Sequence, residues 1–73
     1  MPKAGRKAQE AWAELKESWE MILHIEREGL ELTEVEADKN YDLIMEKLHQ
    51  AEELAKKRND ALRRYLHHLR RGE

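Results

Sequence analysis

Two pairs of acidic and histidine residues in this 73-residue chain have the spacing of metal ligands on a helix. Glu20 and His24 are four residues apart, and Glu46 and His49 are three apart. Side chains at these separations lie on the same side of a helix, so each pair could bind one ion together. At about 100° per residue, however, His24 and Glu46 point away from the apolar stripe described below, and His49 lies on its flank. The pairs are interpreted as solvated surface residues, and no metal site is predicted.

The residues that catalysis usually requires are few. The chain has one Ser, one Thr and no Cys, so neither a disulfide nor a thiolate site can form. It contains no Gly-rich phosphate loop, nucleophile elbow or catalytic triad. The sequence therefore predicts no catalytic residue, no cofactor and no enzymatic activity.

The C-terminal segment is strongly basic and could bind nucleic acid or an anionic membrane surface. Lys and Arg are also the residues expected at a helix C-terminus. The chain as a whole has a net charge of −2, and a single Tyr in this segment provides no platform for stacked bases. These observations argue against both kinds of partner. Trp12 and Trp19, seven residues apart, are interpreted as core or interface anchors.

The composition is typical of long helices that pack together. Charged residues make up 41% of the chain and aromatic residues 5%, and Ala, Glu, Lys, Leu and Arg dominate. The N-terminal segment lacks the apolar stretch of a secretory signal, and the longest apolar run, residues 21–23, is far shorter than a membrane span. We expect one soluble domain over residues 1–73, in a cytoplasmic type of environment, with no targeting signal to assign its location.

One internal glycine predicts where the chain turns. Gly29 has the residue type that most often ends a helix in the left-handed conformation. Thr33 then has the position of an N-cap, and Glu36, three residues later, completes a capping box. The sequence thus predicts an all-α antiparallel hairpin, with helices at about 4–28 and 34–70.

Apolar residues recur at helical spacing in both predicted helices. In the second helix, positions 41, 48, 55, 62 and 69 form one seven-residue repeat. Each apolar stripe spans roughly 160°, which is wider than the seam of a two-stranded coiled coil. This width favours the core of a three- or four-helix bundle.

The C-terminal part of the second helix is predicted to extend beyond the first. With the turn near residues 29–33, residue i of the first helix faces roughly residue 62 − i of the second. The last dozen residues would then project about 18 Å beyond the first helix. The predicted overhang carries four apolar side chains: Leu62, Tyr65, Leu66 and Leu69. Alternatively, Asn59 and Asp60 could end the helix and start a third, but the constant phase of the stripe favours one continuous helix.

Charge is separated along the chain in a way that favours a second copy as partner. Residues 1–7 carry three positive charges, residues 8–55 carry four positive and fourteen negative, and residues 56–73 carry seven positive and two negative. Two hairpins packed antiparallel would place each basic end against the acidic part of the other and would cover both overhangs. Asn59, near the centre of the stripe, is predicted either to fix the register of this interface or to lie at its rim.

The turn at Gly29, the capping box, the seven-residue repeat and the biased composition resemble those of de novo designed or engineered helix-loop-helix proteins. This resemblance covers the whole chain. The segment LAKKRNDALRRYLHHL is similar to the last helix of a spectrin-type repeat, a family that needs three helices. Glu46 and His49 resemble the ligand pattern of di-iron carboxylate bundles at those two residues only.

Two functions remain open from the sequence. The first is a structural one, a self-associating hairpin that forms an antiparallel homodimeric four-helix bundle. The second is a binding module that presents one helix face to a different protein. The second function would use apolar residues at or beyond the edges of the stripes: Met21, Leu23, Leu43 and Leu54.

Overall fold

Two long helices that pack side by side make up residues 5–72, the part of the chain that the computed structural model describes. Helix α1 spans Arg6–Glu34 and helix α2 spans Tyr41–Arg71. They run antiparallel and form a rod of 50 × 18 × 12 Å. The prediction of an all-α two-helix hairpin is confirmed, and α2 continues without interruption through Asn59 and Asp60.

The turn predicted at Gly29 is wrong, because α1 continues through Gly29 and Thr33 to its end. A glycine inside a helix costs up to about 1 kcal/mol relative to alanine. Packing outweighs this cost here, since Gly29 faces Lys47 of α2 and Leu32, one turn later, is half-buried. Thr33 is not an N-cap either. Its Oγ1 donates a hydrogen bond of 2.6 Å to the carbonyl oxygen of Leu30 in its own helix.

The chain instead turns in the six residues between α1 and α2. Val35 is extended, with φ −132° and ψ 122°. Glu36 adopts a left-handed conformation with φ 50°, so it reverses the chain rather than completing a capping box. The predicted boundaries of about 28 and 34 are therefore wrong, and both helices meet the turn further along the sequence.

Asn40 joins the two helices by hydrogen bonds in both directions. Its carbonyl oxygen accepts a hydrogen bond of 2.8 Å from the amide of Ile44 at the start of α2. Its side-chain Nδ2 donates to the carbonyl oxygens of Leu32 and Val35, each at 3.0 Å. Carbonyls at a helix C-terminus have no amide of their own helix to accept from. The side chain of Asn40 thus completes the end of α1 while its backbone begins α2.

The core between the helices is narrow and consists mainly of small residues. The buried residues are Ala8, Ala11, Leu15, Ser18 and Ile22 of α1 and Ala61 of α2. Their spacing of three and four residues in α1 is that of a coiled-coil seam. Ser18 is only 2% exposed, and its Oγ is hydrogen-bonded to the carbonyl oxygens of Glu14 and Leu15 at 2.9 and 3.0 Å. Small seam residues allow the two helices to approach closely.

The predicted overhang of α2 is also wrong, because the later turn brings α1 alongside the C-terminal part of α2. Nη2 of Arg64 lies 2.7 Å from Oε2 of Glu14, and a Cβ added at Gly29 would lie 3.6 Å from that of Lys47. The position numbers of these facing residues sum to 78 and 76 rather than to 62. The four side chains assigned to the overhang lie beside α1: Leu62, Tyr65 and Leu69 are half-buried, and Leu66 is 52% exposed.

Candidate interaction face

The seam between the helices divides the surface of the hairpin into two sides. In α2 the seam consists of buried and half-buried residues at the same spacing: Ile44, Lys47, Ala51, Leu54, Arg58, Ala61, Tyr65 and His68. Along each helix, residues before and after a seam position point to opposite sides of it. Because the helices are antiparallel, residues that directly follow a seam position lie on the same side of the seam in both helices.

One side of the seam, called the charged side below, carries ion pairs between the helices. Glu14 binds Arg64 here, and Nζ of Lys47 lies 3.2 Å from Oε1 of Glu28. The hydrogen bond with Glu14 is the main cause that raises the pKa of Arg64 above its ordinary value. Leu43 lines a groove on this side together with Glu28 and Lys47. Ion pairs therefore join the helices at two places along this edge, and an apolar groove lined by Met21 and Leu54 lies between them.

The other side is apolar over most of its length and is called the apolar face below. It consists of Trp12, Trp19, Leu23 and Leu30 of α1 and Tyr41, Leu48, Leu62, Leu66 and Leu69 of α2. Leu30 and Leu48 line the same groove across the seam, so the two helices contribute to one continuous surface. Six of the nine large apolar side chains that residues 5–72 expose lie on this face. They are 43–62% exposed: Trp19, Leu23, Leu30, Tyr41, Leu48 and Leu66.

Four charged side chains interrupt the apolar face: those of Lys16, Glu26 and Glu52, and that of the seam residue Arg58, which extends over Trp19. The two cations lie toward the open end of the hairpin, and the two carboxylates lie toward the loop. Nζ of Lys16 is 5.4 Å from the centroid of the Trp12 ring, and Cζ of Arg58 is 4.8 Å from that of Trp19. Cations at these distances are attracted by the aromatic ring. Within the described residues, none of the four is in a salt bridge.

Most of the interface residues predicted from the sequence lie on the apolar face. These are Trp12, Trp19, Leu62, Leu66 and Leu69, together with Asn59, which is exposed there and accepts a hydrogen bond of 3.3 Å from Nε of Arg58. Tyr65 lies in the seam instead. Gly29, Thr33 and Glu36 do not form the predicted turn and cap.

The four apolar residues predicted to serve a foreign partner lie on different parts of the hairpin, although Met21 and Leu54 line one groove together. Leu23 belongs to the apolar face, Leu54 lies in the seam, and Leu43 and Met21 lie on the charged side. Leu30, which lies on the apolar face, is not among the interface residues predicted from the sequence. The signal was present in its seven-residue separation from Leu23, which matches that between Trp12 and Trp19.

The acidic and histidine pairs remain on the surface of the hairpin. Glu46 and His49 are both exposed on α2, and Nε2 of His24 lies 3.6 Å from Oε1 of Glu28 rather than beside Glu20. Across residues 5–72, no three His, Asp or Glu side chains are grouped so that they could hold a metal ion. Neither of the two described helices combines the length and apolar character needed to cross a membrane.

Comparisons of the chain with protein-family models, with curated proteins and with solved structures find no match.

Proposed function

We propose that the protein is a structural, self-associating module whose apolar face packs against that of a second copy to form an antiparallel four-helix bundle. The observation that carries this proposal is the concentration of six exposed, large apolar side chains on one side of the seam. The other side bears the ion pairs between α1 and α2. Monomeric proteins rarely expose contiguous apolar patches larger than a few hundred Å².

The small core of a single hairpin supports the need for a partner. Of the five apolar residues that are buried within residues 5–72, three are alanine, and the two large ones are Leu15 and Ile22. Complete burial of a large aliphatic side chain contributes about 1.5–3 kcal/mol. Ordering a chain costs roughly 1.5 kcal/mol per residue. Burial of the apolar face against a second copy would supply much of the missing stabilisation.

The distribution of charge supports a second copy as the partner. The loop half of the hairpin, residues 20–56, has four positive and eleven negative residues, a net charge of −7. The open half, residues 5–19 with 57–72, has nine positive and four negative residues, a net charge of +5. Two copies packed with their loops at opposite ends would place each acidic half against a basic half.

Two leucines of α2 allow a matched test of this face. Leu48 on the apolar face and Leu43 on the charged side are 47% and 50% exposed. We expect the wild-type protein to sediment as a dimer. Leu48→Glu should convert it to monomer with loss of helical circular dichroism, because a charge would be buried in the interface. Leu43→Glu should leave the mass in solution unchanged.

Two outcomes would contradict the proposal. A folded wild-type monomer of 8.8 kDa over the micromolar to millimolar range would exclude self-association, and the apolar face would then suit a different protein as partner. Loss of the dimer in Leu43→Glu but not in Leu48→Glu would place the interface on the charged side of the hairpin instead of the apolar face.

A further inference from the structure

We infer that four charged residues of the apolar face fix the direction and register of the dimer. Arg58 of one copy would bind Glu52 of the second copy, and Lys16 would bind Glu26 of the second copy. This inference rests on the proposed self-association and goes beyond it by assigning the ion pairs between the chains.

The symmetry of such a dimer determines which residues meet. With two apolar faces in contact and the loops at opposite ends, the two-fold axis lies in the interface and crosses the helices at right angles. Each helix then packs antiparallel against the same helix of the second copy, α1 against α1 and α2 against α2. Residues that face each other across the interface lie at equal distances from the axis, in opposite directions along the helix.

The charged residues of the apolar face are placed symmetrically about a single axis of this kind. The midpoint of Lys16 and Glu26 is position 21, and that of Glu52 and Arg58 is position 55. Position numbers of residues that face each other within one hairpin sum to between 75 and 78. Positions 21 and 55 sum to 76, so the two midpoints lie beside each other across the seam. One axis can therefore pass through both.

The apolar residues of the face follow the same symmetry. In α1, Trp12 and Leu30 share the midpoint 21, and so do Trp19 and Leu23. In α2, the midpoint 55 is shared by Leu48 with Leu62 and by Tyr41 with Leu69. About this axis, apolar residues face apolar residues and each cation faces a carboxylate. With the loops at the same end, the cations of both copies would instead gather at one end and the carboxylates at the other.

The hairpin holds the two cations in place before a second copy arrives. Arg58 is half-buried and lies over the Trp19 ring, and Lys16 lies over the Trp12 ring. Neither has a carboxylate partner among the described residues. A guanidinium stacked on an aromatic ring keeps its N–H groups at the ring edge, where they can bind a carboxylate in two places.

Charge reversal in two separate variants tests this pairing. Arg58→Glu would set two carboxylates against each other at both symmetry-related contacts, and Glu52→Arg would set two cations against each other. We expect each variant to self-associate about tenfold or more weakly than wild type. In an equimolar mixture both contacts regain opposite charges, so a heterodimer should form with near wild-type affinity. Sedimentation with one variant fluorescently labelled measures both the homodimers and the heterodimer.

Glu46→Arg is the matched control, since it has the same charge change on an exposed position of α2 outside the apolar face. Its mixture with Arg58→Glu should not form the favoured heterodimer. Equal heterodimer formation with either partner would mean that net charge alone acts, and would overturn the inference. Unchanged dimers in both single variants would overturn the pairing and leave the proposed self-association standing. A monomeric wild type would overturn both.

Discussion

Two residues near the turn adopt the conformations that their types favour least. Gly29 is helical, although glycine in a helix costs up to about 1 kcal/mol relative to alanine. Glu36 is left-handed with φ 50°, which costs a residue with a side chain roughly 1–2 kcal/mol. Gly29 therefore lies where the conformational freedom of glycine is not used.

We expect Gly29→Ala to raise the free energy of unfolding by up to about 1 kcal/mol. The added methyl group would lie 3.6 Å from Cβ of Lys47, an ordinary van der Waals distance, so no strain offsets the gain in helix propensity. Urea unfolding at one fixed protein concentration measures the change.

The reverse type of substitution at the turn, Glu36→Gly, should also stabilise the fold, because glycine adopts positive φ freely. A loss of stability in Gly29→Ala would show that Gly29 ends the first helix after all.

At the scale of the helices, the side chain of Asn40 connects the end of α1 to the start of α2. Asn40→Ala removes two hydrogen bonds of 3.0 Å to the carbonyl oxygens of Leu32 and Val35. We expect a cost of about 1–2 kcal/mol. Asn40→Asp distinguishes hydrogen bonding to the end of α1 from N-capping of α2. Asp is as good an N-cap as Asn, but its carboxylate cannot donate a hydrogen bond to a carbonyl oxygen. Asp should be no better than Ala in thermal unfolding, and full stability in Asn40→Asp would assign the residue to the N-cap of α2 instead.

The sequence predicts the two helices and most of the apolar face, but not the turn or the register. The apolar stripes have a helical phase that does not depend on where a helix ends, so Trp12, Trp19 and Leu62 could be assigned correctly. The turn depends on a contact between Asn40 and a carbonyl eight residues earlier, which competes with the local helix-stop signal of Gly29. A prediction that places the turn too early assigns every pair of facing residues wrongly. The predicted overhang of α2 is a consequence of that error.

At the scale of the whole molecule, the separation of charge predicts how salt acts on the dimer. Raising the ionic strength from 0.1 to 1 M shortens the Debye length from about 10 to 3 Å. With the loops at opposite ends, attraction between the halves of net charge −7 and +5 is screened. We expect dissociation to become modestly easier, because burial of the apolar face dominates. Sedimentation equilibrium at both salt concentrations measures this, and a dimer that tightens with salt would indicate loops at the same end.

The two helices of 29 and 31 residues are antiparallel. This arrangement determines the positions of any peptide, domain or dye attached at the two ends of the described chain. Gly5 and Gly72 both lie at the end of the rod opposite the loop. In the proposed dimer, the corresponding ends of the two copies would point in opposite directions, separated by about the 50 Å length of the rod. A peptide or domain fused at either position would be held apart from its twin by a stiff spacer. Dyes attached near Gly72 would report that separation directly by resonance energy transfer.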